Sequence, residues 1–168
     1  MANKRTKIEN APVKYRNFAG VKTQYNREGD SNFVIILDEE VAKNMMDDVD
    51  EQGIGWYIKP VEFDTGKIEY QLKLRLGDGR YKDPDVFVVG EDGRPIPFNR
   101  GQWPRLDKST ITISFVDVVF HQSRKTFEYQ GKEYYSAYVD EVFVNIVESD
   151  LRRKYGVGAD DNLPELDD

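Results

Sequence analysis

Cationic and aromatic side chains recur together along this 168-residue chain, and that pairing is the chemistry it most plainly offers. One group is Tyr15, Arg16 and Phe18; a second is Tyr25 and Arg27; a third is Trp56, Tyr57 and Lys59. Lys73 and Arg75 follow, then Arg80, Tyr81 and Lys82, then Arg100, Trp103 and Arg105, and last Arg124, Lys125, Phe127 and Tyr129. A cation neutralises a phosphate, and an exposed ring stacks on a base for about 1–3 kcal/mol, so two or three such rings suffice to hold an unpaired nucleic-acid strand. Aromatics also fill β cores. Phe33, Phe87, Phe115, Phe120 and Phe143 stand in apolar runs and are expected there. Trp103, in a polar stretch, and Tyr25, beside a turn, are the rings placed for exposure. Of Tyr134, Tyr135 and Tyr138 on one strand, at least one must face outward.

Catalytic patterns are weak by comparison. The single histidine, His121, has no cysteine partner, because the chain has no cysteine, and no Gly-x-Ser-x-Gly elbow occurs. The Gly-x-Gly pairs at Gly53, Gly77 and Gly156 lack the lysine and spacing of a phosphate loop. Pro84-Asp85 followed by Glu91 faintly suggests a nuclease metal site, but no lysine stands two residues beyond that glutamate. The expectation is a non-enzyme with no catalytic residue, no metal and no cofactor.

The element that must position the cations is the stretch Glu69–Leu76. Tyr70, Leu72, Leu74 and Leu76 alternate with Gln71, Lys73 and Arg75, so a strand here has one apolar and one cationic face. Further strands are expected near Val13–Phe18, at Phe33–Leu37, in a short piece Trp56–Lys59, at Val86–Val89, at Thr110–Phe120, and in a hairpin turning at Gln130-Gly131-Lys132 into a long strand Glu133–Val147. Asp38, as N-cap, opens one amphipathic helix of roughly Glu39–Glu51, with Val41, Met45, Met46 and Val49 on its apolar side. Phe98–Leu106 reads as a loop, and Ser149–Tyr155 as a last helical turn. The class is β-rich, all-β with one inserted helix, and an OB-like Greek-key β-barrel is the architecture expected.

Hydrophobic residues are 39% and charged residues 33%, with no apolar run long enough for a bilayer and no secretory signal, so a soluble protein without membrane contact is expected. The net charge of −7 argues against a nucleic-acid partner until its distribution is read. Residues 157–168 hold Asp160, Asp161, Glu165, Asp167 and Asp168 and no cation, so residues 1–156 carry only −2 of the −7. The chain thus divides into a nearly balanced domain, 1–156, and an acidic flexible C-terminal tail, 157–168, in which Leu163 and Leu166 are spaced among the acids. Such a tail would dock on basic partner proteins, and on the domain's own cationic face when that is empty.

Ile8-Glu9-Asn10-Ala11, Tyr15-Arg16-Asn17-Phe18-Ala19-Gly20 and especially Tyr25-Asn26-Arg27-Glu28-Gly29-Asp30-Ser31-Asn32-Phe33 resemble the opening of a family of small bacteriophage single-stranded DNA-binding proteins with an OB fold. The resemblance continues through the helix after Leu37, through Trp56–Pro60 and Tyr70–Leu76, and resumes at Ala137–Val147; residues 78–107 depart from it. It implies a non-catalytic protein that coats displaced strands during phage replication or recombination in the bacterial host cytoplasm. On that reading Lys73 and Arg75 track phosphates, Tyr25, Trp56 and Trp103 are stacking platforms, and Arg27, Arg100 and Arg105 flank the groove. Replication or recombination proteins would be the tail's partners, and whether the protein is a homo-oligomer is left open. The rival readings are a non-catalytic structural or interaction protein of the virion and an acidic DNA mimic that binds a host protein.

Overall fold

The computed structural model describes residues 4–148; the last helical turn expected at 149–155 and the tail at 157–168 lie outside the described residues. The strands are β1 (Arg5–Ala11), β2 (Val13–Asn17), β3 (Ser31–Leu37), β4 (Gly55–Trp56), β5 (Lys59–Glu62), β6 (Ile68–Gly77), β7 (Asp85–Val89), β8 (Pro95–Phe98), β9 (Ile111–Tyr129) and β10 (Lys132–Glu148). Helix α1 (Glu39–Asp47) follows β3, and a 3₁₀ helix (Arg100–Asp107) precedes β9. No described helix is long and apolar enough to cross a membrane.

All ten strands share one sheet. Its hydrogen-bonded path runs β1-β9-β10-β6-β3-β2, with β4 and β7 added to β10, β5 to β6 and β8 to β7. The fold is mostly β, as expected, but the ladder does not close into a barrel. The two ends of the path, β1 and β2, are consecutive in sequence and separated by Pro12 alone. Proline cannot donate to a ladder, and here the chain leaves β9, where Ala11 opposes Val116, and joins β3, where Val13 opposes Ile35. A cleft of about 290 Å³ remains between β2 and the start of β9, lined by Val13, Tyr15, Arg16, Ile111 and Thr112 among others. The Arg16 guanidinium donates to the Lys108 carbonyl, and the Asp107 carboxylate accepts the backbone N–H groups of Phe18 and Ala19, so side chains tie the two edges together.

The core forms from the alternation that the sequence displays. On β6, Tyr70, Leu72, Leu74 and Leu76 are buried; they meet Phe33, Ile35 and Leu37 of β3 and Val116, Val118 and Phe120 of β9. Phe18 stacks on Phe33 with centroids 5.2 Å apart, and Trp56 meets Phe120 edge-on at 5.2 Å. Phe87, Phe115 and Phe143 are half-buried rather than core. Phe143 pairs across strands with Phe87 and Asp117 on the sheet's outer face, where the Phe87 and Phe143 rings stack at 4.8 Å.

Several elements differ from expectation, the first two for local reasons. Helix α1 stops at Asp47, not Glu51, and buries Ala42 and Met45 while Met46 and Val49 stay exposed. Asp50 does not continue the helix: its carboxylate accepts the N–H groups of Gln52 and Ile54 and the Tyr135 hydroxyl, which builds a turn instead. Asp38 precedes the helix but makes no side-chain cap. The stretch expected as a loop at 98–106 contains the 3₁₀ helix, opened by a reciprocal capping box between Asn99 and Gln102 and anchored by the buried Trp103 and Leu106. Strand β8, absent from the sequence reading, pairs with β7 and carries Pro95 opposite Val89 and Pro97 opposite Phe87.

Candidate nucleic-acid interface

The outer face of β6 carries Gln71, Lys73 and Arg75, all half-buried. Neighbouring strands extend this face by register, since directly paired residues share a side. Arg75 opposes Asn32 of β3 and Tyr138 of β10, and Tyr138 in turn opposes His121 of β9. Lys73 opposes Val34, and Gln71 opposes Ile36 on one side and Lys59 of β5 on the other. At β4 the alternation sends Trp56 inward and Tyr57 outward, where Tyr57 meets Phe127, Tyr129 and Tyr134 at centroid distances of 5.6, 5.4 and 4.9 Å. The result is a surface of cations and rings that runs from the 18–30 loop to the β9–β10 hairpin.

The loop before β3 is braced from within. The Asn26 amide donates to the carbonyls of Val21, Arg27 and Asp30, and its oxygen accepts from Asn32. The Gly29 N–H reaches the Gly20 carbonyl at 2.8 Å, and Gly20 has φ of +69° with no space for a Cβ, which would lie 2.8 Å from the Gly29 carbonyl carbon. Tyr25 and Arg27 flank Asn26 and are exposed, Tyr25 to 85%. The buried Asp30 holds Arg75 at 2.6 Å and so ties the loop's base to the sheet.

Lys73 differs from its neighbour. No carboxylate pairs with it among the described residues. Burial, and then the Arg75 charge, push its pKa below the ordinary lysine value, with Asp30 opposing more weakly. An anion brought to this face would offset both effects.

Of the residues expected at the site, Lys73 and Arg75 share the outer face of β6, and Tyr25 and Arg27 are exposed on the loop whose base Asp30 ties to Arg75. Trp56 and Trp103 are corrected: they are 3% and 1% exposed and offer no ring face to a base. Trp103 fills the core with its indole N–H donating to the Phe98 carbonyl at 3.3 Å, because a 3₁₀ helix, not a polar loop, carries it. Arg100 and Arg105 lie against the same packing, both half-buried. Arg100 pairs with Asp83 at 2.8 Å and lies over the Trp103 ring, and Arg105 lies 5.9 Å from the Phe98 ring centroid. Tyr57, Lys59, Phe127, Tyr129, Tyr134 and Tyr138 join this surface although the sequence does not single them out as site residues. The signal for them was strand parity: with Trp56 and Ile58 buried, Tyr57 and Lys59 must face the other way. Among the described residues no three His, Cys, Asp or Glu side chains are gathered as a metal set.

Because both tryptophans are sealed, their emission is expected to stay nearly unchanged when an oligo-dT strand is added. A strong salt-reversible quench under selective tryptophan excitation would contradict the burial of both rings.

A family model for the phage ssDNA-binding domain matches residues 2–167. No curated protein matches the sequence. Among solved structures, the chain is similar to the single-stranded DNA-binding protein from bacteriophage Enc34 in a C-terminally truncated form, at 12% identity over 87% of this chain and 86% of that one, with a TM-score of 0.51. It also aligns with the Enc34 protein in complex with ssDNA, at 10% identity over 83% and 85% and a TM-score of 0.47. A third alignment is with gp2.5, a single-stranded DNA-binding protein encoded by bacteriophage T7, at 12% identity over 95% and 97% and a TM-score of 0.45. The truncated Enc34 structure supports a shared fold. With its family model matched almost from end to end, this chain belongs to the phage ssDNA-binding domain family.

Proposed function

We infer that the protein is a non-catalytic, sequence-independent single-stranded DNA-binding protein that lays the strand across the outer face of β3, β6 and β10. The observation that carries this reading is Lys73: a half-buried cation without a carboxylate partner among the described residues, beside Arg75 and between two aromatic zones. Phosphates would follow Lys73, Arg75 and Lys59, and bases would meet Tyr25 at one end and the hairpin rings at the other. On this reading binding rests on charge and stacking.

The OB assignment belongs to the same reading. Taken as one strand bent at Pro12, β1 and β2 touch both β9 and β3, which makes the order of β1/β2, β3, β6, β10 and β9 cyclic. The β6–β10 contact in that order is parallel and the β9–β10 contact antiparallel. A partly open five-stranded Greek-key barrel of this kind binds oligonucleotides on the face used here. The cellular role we assign is coating exposed strands during phage replication or recombination in the host cytoplasm, with the acidic residues 157–168 recruiting partner proteins.

A salt titration of binding to oligo-dT and to duplex of equal length tests the reading. Single strands should be preferred, and the logarithm of affinity should fall linearly with that of salt at about 0.7 per phosphate contacted. Equal affinity for both forms, or none for either at low salt, would refute it.

A further inference from the structure

The β9–β10 hairpin has two chemically opposite faces. On one, Tyr134 opposes Phe127 and Lys132 opposes Tyr129; on the other, Glu133 opposes Glu128, both exposed. Like charges placed directly across a strand pair are unfavourable. The arrangement therefore works against the hairpin's own pairing, and its external effect is to repel phosphate from that side. The aromatic side is built differently. Phe127, Tyr57 and Tyr134 are half-buried, and Tyr57 meets the other two edge-on at interplanar angles of 85° and 63°. Tyr129 leans on Tyr57 at 57° yet remains 46% exposed, the outermost ring of the group. Lys132 lies 5.6 Å from the Tyr134 ring centroid, and Lys59, two residues from Tyr57, and Lys125, two residues from Phe127, are exposed without carboxylate partners among the described residues. Burial, and then the neighbouring tyrosines, raise the pKa of the Tyr57 hydroxyl, which keeps that hydroxyl protonated.

We propose that the Tyr57–Phe127–Tyr129–Tyr134 cluster is the nucleobase platform of this protein, with an unpaired base stacked on Tyr129, its phosphate near Lys132, and the Glu128–Glu133 face excluding the strand from the hairpin's reverse side. This deepens, and rests on, the single-strand reading of the sheet. It reassigns to the hairpin the stacking role expected of Trp56 and Trp103. Tyr57, itself held by Phe127 and Tyr134, braces Tyr129, so little ordering is needed when the base arrives.

The experiment compares the full chain with Tyr129→Ala and Tyr129→Phe, using oligo-dT and an abasic oligonucleotide of the same length. Tyr129→Ala is expected to bind oligo-dT about tenfold or more weakly with an unchanged salt slope, and Tyr129→Phe to keep wild-type affinity. The abasic strand should bind wild type and Tyr129→Ala alike. The proposal is overturned if Tyr129→Ala binds oligo-dT like wild type, or loses the abasic strand equally, which would mark a structural role. Either result leaves the broader reading intact provided wild type still shows salt-sensitive binding to single strands. Wild type that binds no single strand overturns both.

Discussion

Replacing Lys73 with glutamate is expected to weaken binding to single-stranded DNA by roughly two orders of magnitude at low salt and to flatten the salt dependence by at least the share of one phosphate, about 0.7 in log–log slope. The loss exceeds that of an ordinary surface lysine because Lys73 has no carboxylate partner among the described residues to share its charge, whereas Arg75 beside it already serves Asp30. The fold should tolerate the change, since glutamate at 73 would find Arg75 as a new neighbour. Melting temperature therefore serves as the control. Undiminished affinity with an unchanged slope would remove Lys73 from the strand's path.

The same residue gives the binding a pH signature. Its folded-state pKa is lowered, so in the free protein the unfolded chain holds the lysine proton more tightly, and stability rises with pH between the lowered value and the ordinary one. A phosphate restores the charged form. Affinity should therefore decline as pH climbs through the lowered pKa, on the acid side of the usual lysine range, and Lys73→Arg should shift that decline to higher pH.

Trp103→Ala is expected to destabilise the domain by roughly 3–5 kcal/mol, among the largest costs available to one substitution. The side chain is fully buried, its N–H satisfies the Phe98 carbonyl, and the Arg100 guanidinium lies 4.4 Å from its ring centroid. Removing it empties the junction between β8 and the 3₁₀ helix and leaves that carbonyl without the donor. At about 2–4 °C per kcal/mol for a chain of this size, the melting midpoint should drop by roughly 10 °C. A drop of only a degree or two, accompanied by loss of oligo-dT binding, would return Trp103 to the role of a stacking platform.

Much of the architecture was readable because β structure writes itself in alternation. Glu69–Leu76 and Phe33–Leu37 announced their buried faces, and Gln130-Gly131-Lys132 announced the hairpin. The bend at Pro12 was visible as an interruption, but that one segment serves two neighbours is a long-range fact no local pattern carries. Asp50 and Asn26 defeated local reading in the same way. One leaves a helix to collect two N–H groups and a hydroxyl; the other braces a loop through contacts up to six residues away. The cations of the site were legible because a strand face fixes their direction. The rings are not, because the polar residues around Trp103 hide the 3₁₀ turn that buries it, and the burial of Trp56 follows only once the strand parity of residues 56–58 is fixed.

The two prolines of β8 carry a last implication. Lacking N–H groups, Pro95 and Pro97 cannot donate to β7, so that ladder must run through Ile96 and Phe98, and the opposite margin of β8 presents the carbonyls of Pro95 and Pro97 without an N–H beside them. Molecules crowded along a shared polymer meet edge to edge at high local concentration, the circumstance in which exposed strands zip into fibres. On the proposed strand-coating reading, a margin that can accept but not reciprocate would leave such neighbours free to slide, separate and be cleared when the complementary strand returns.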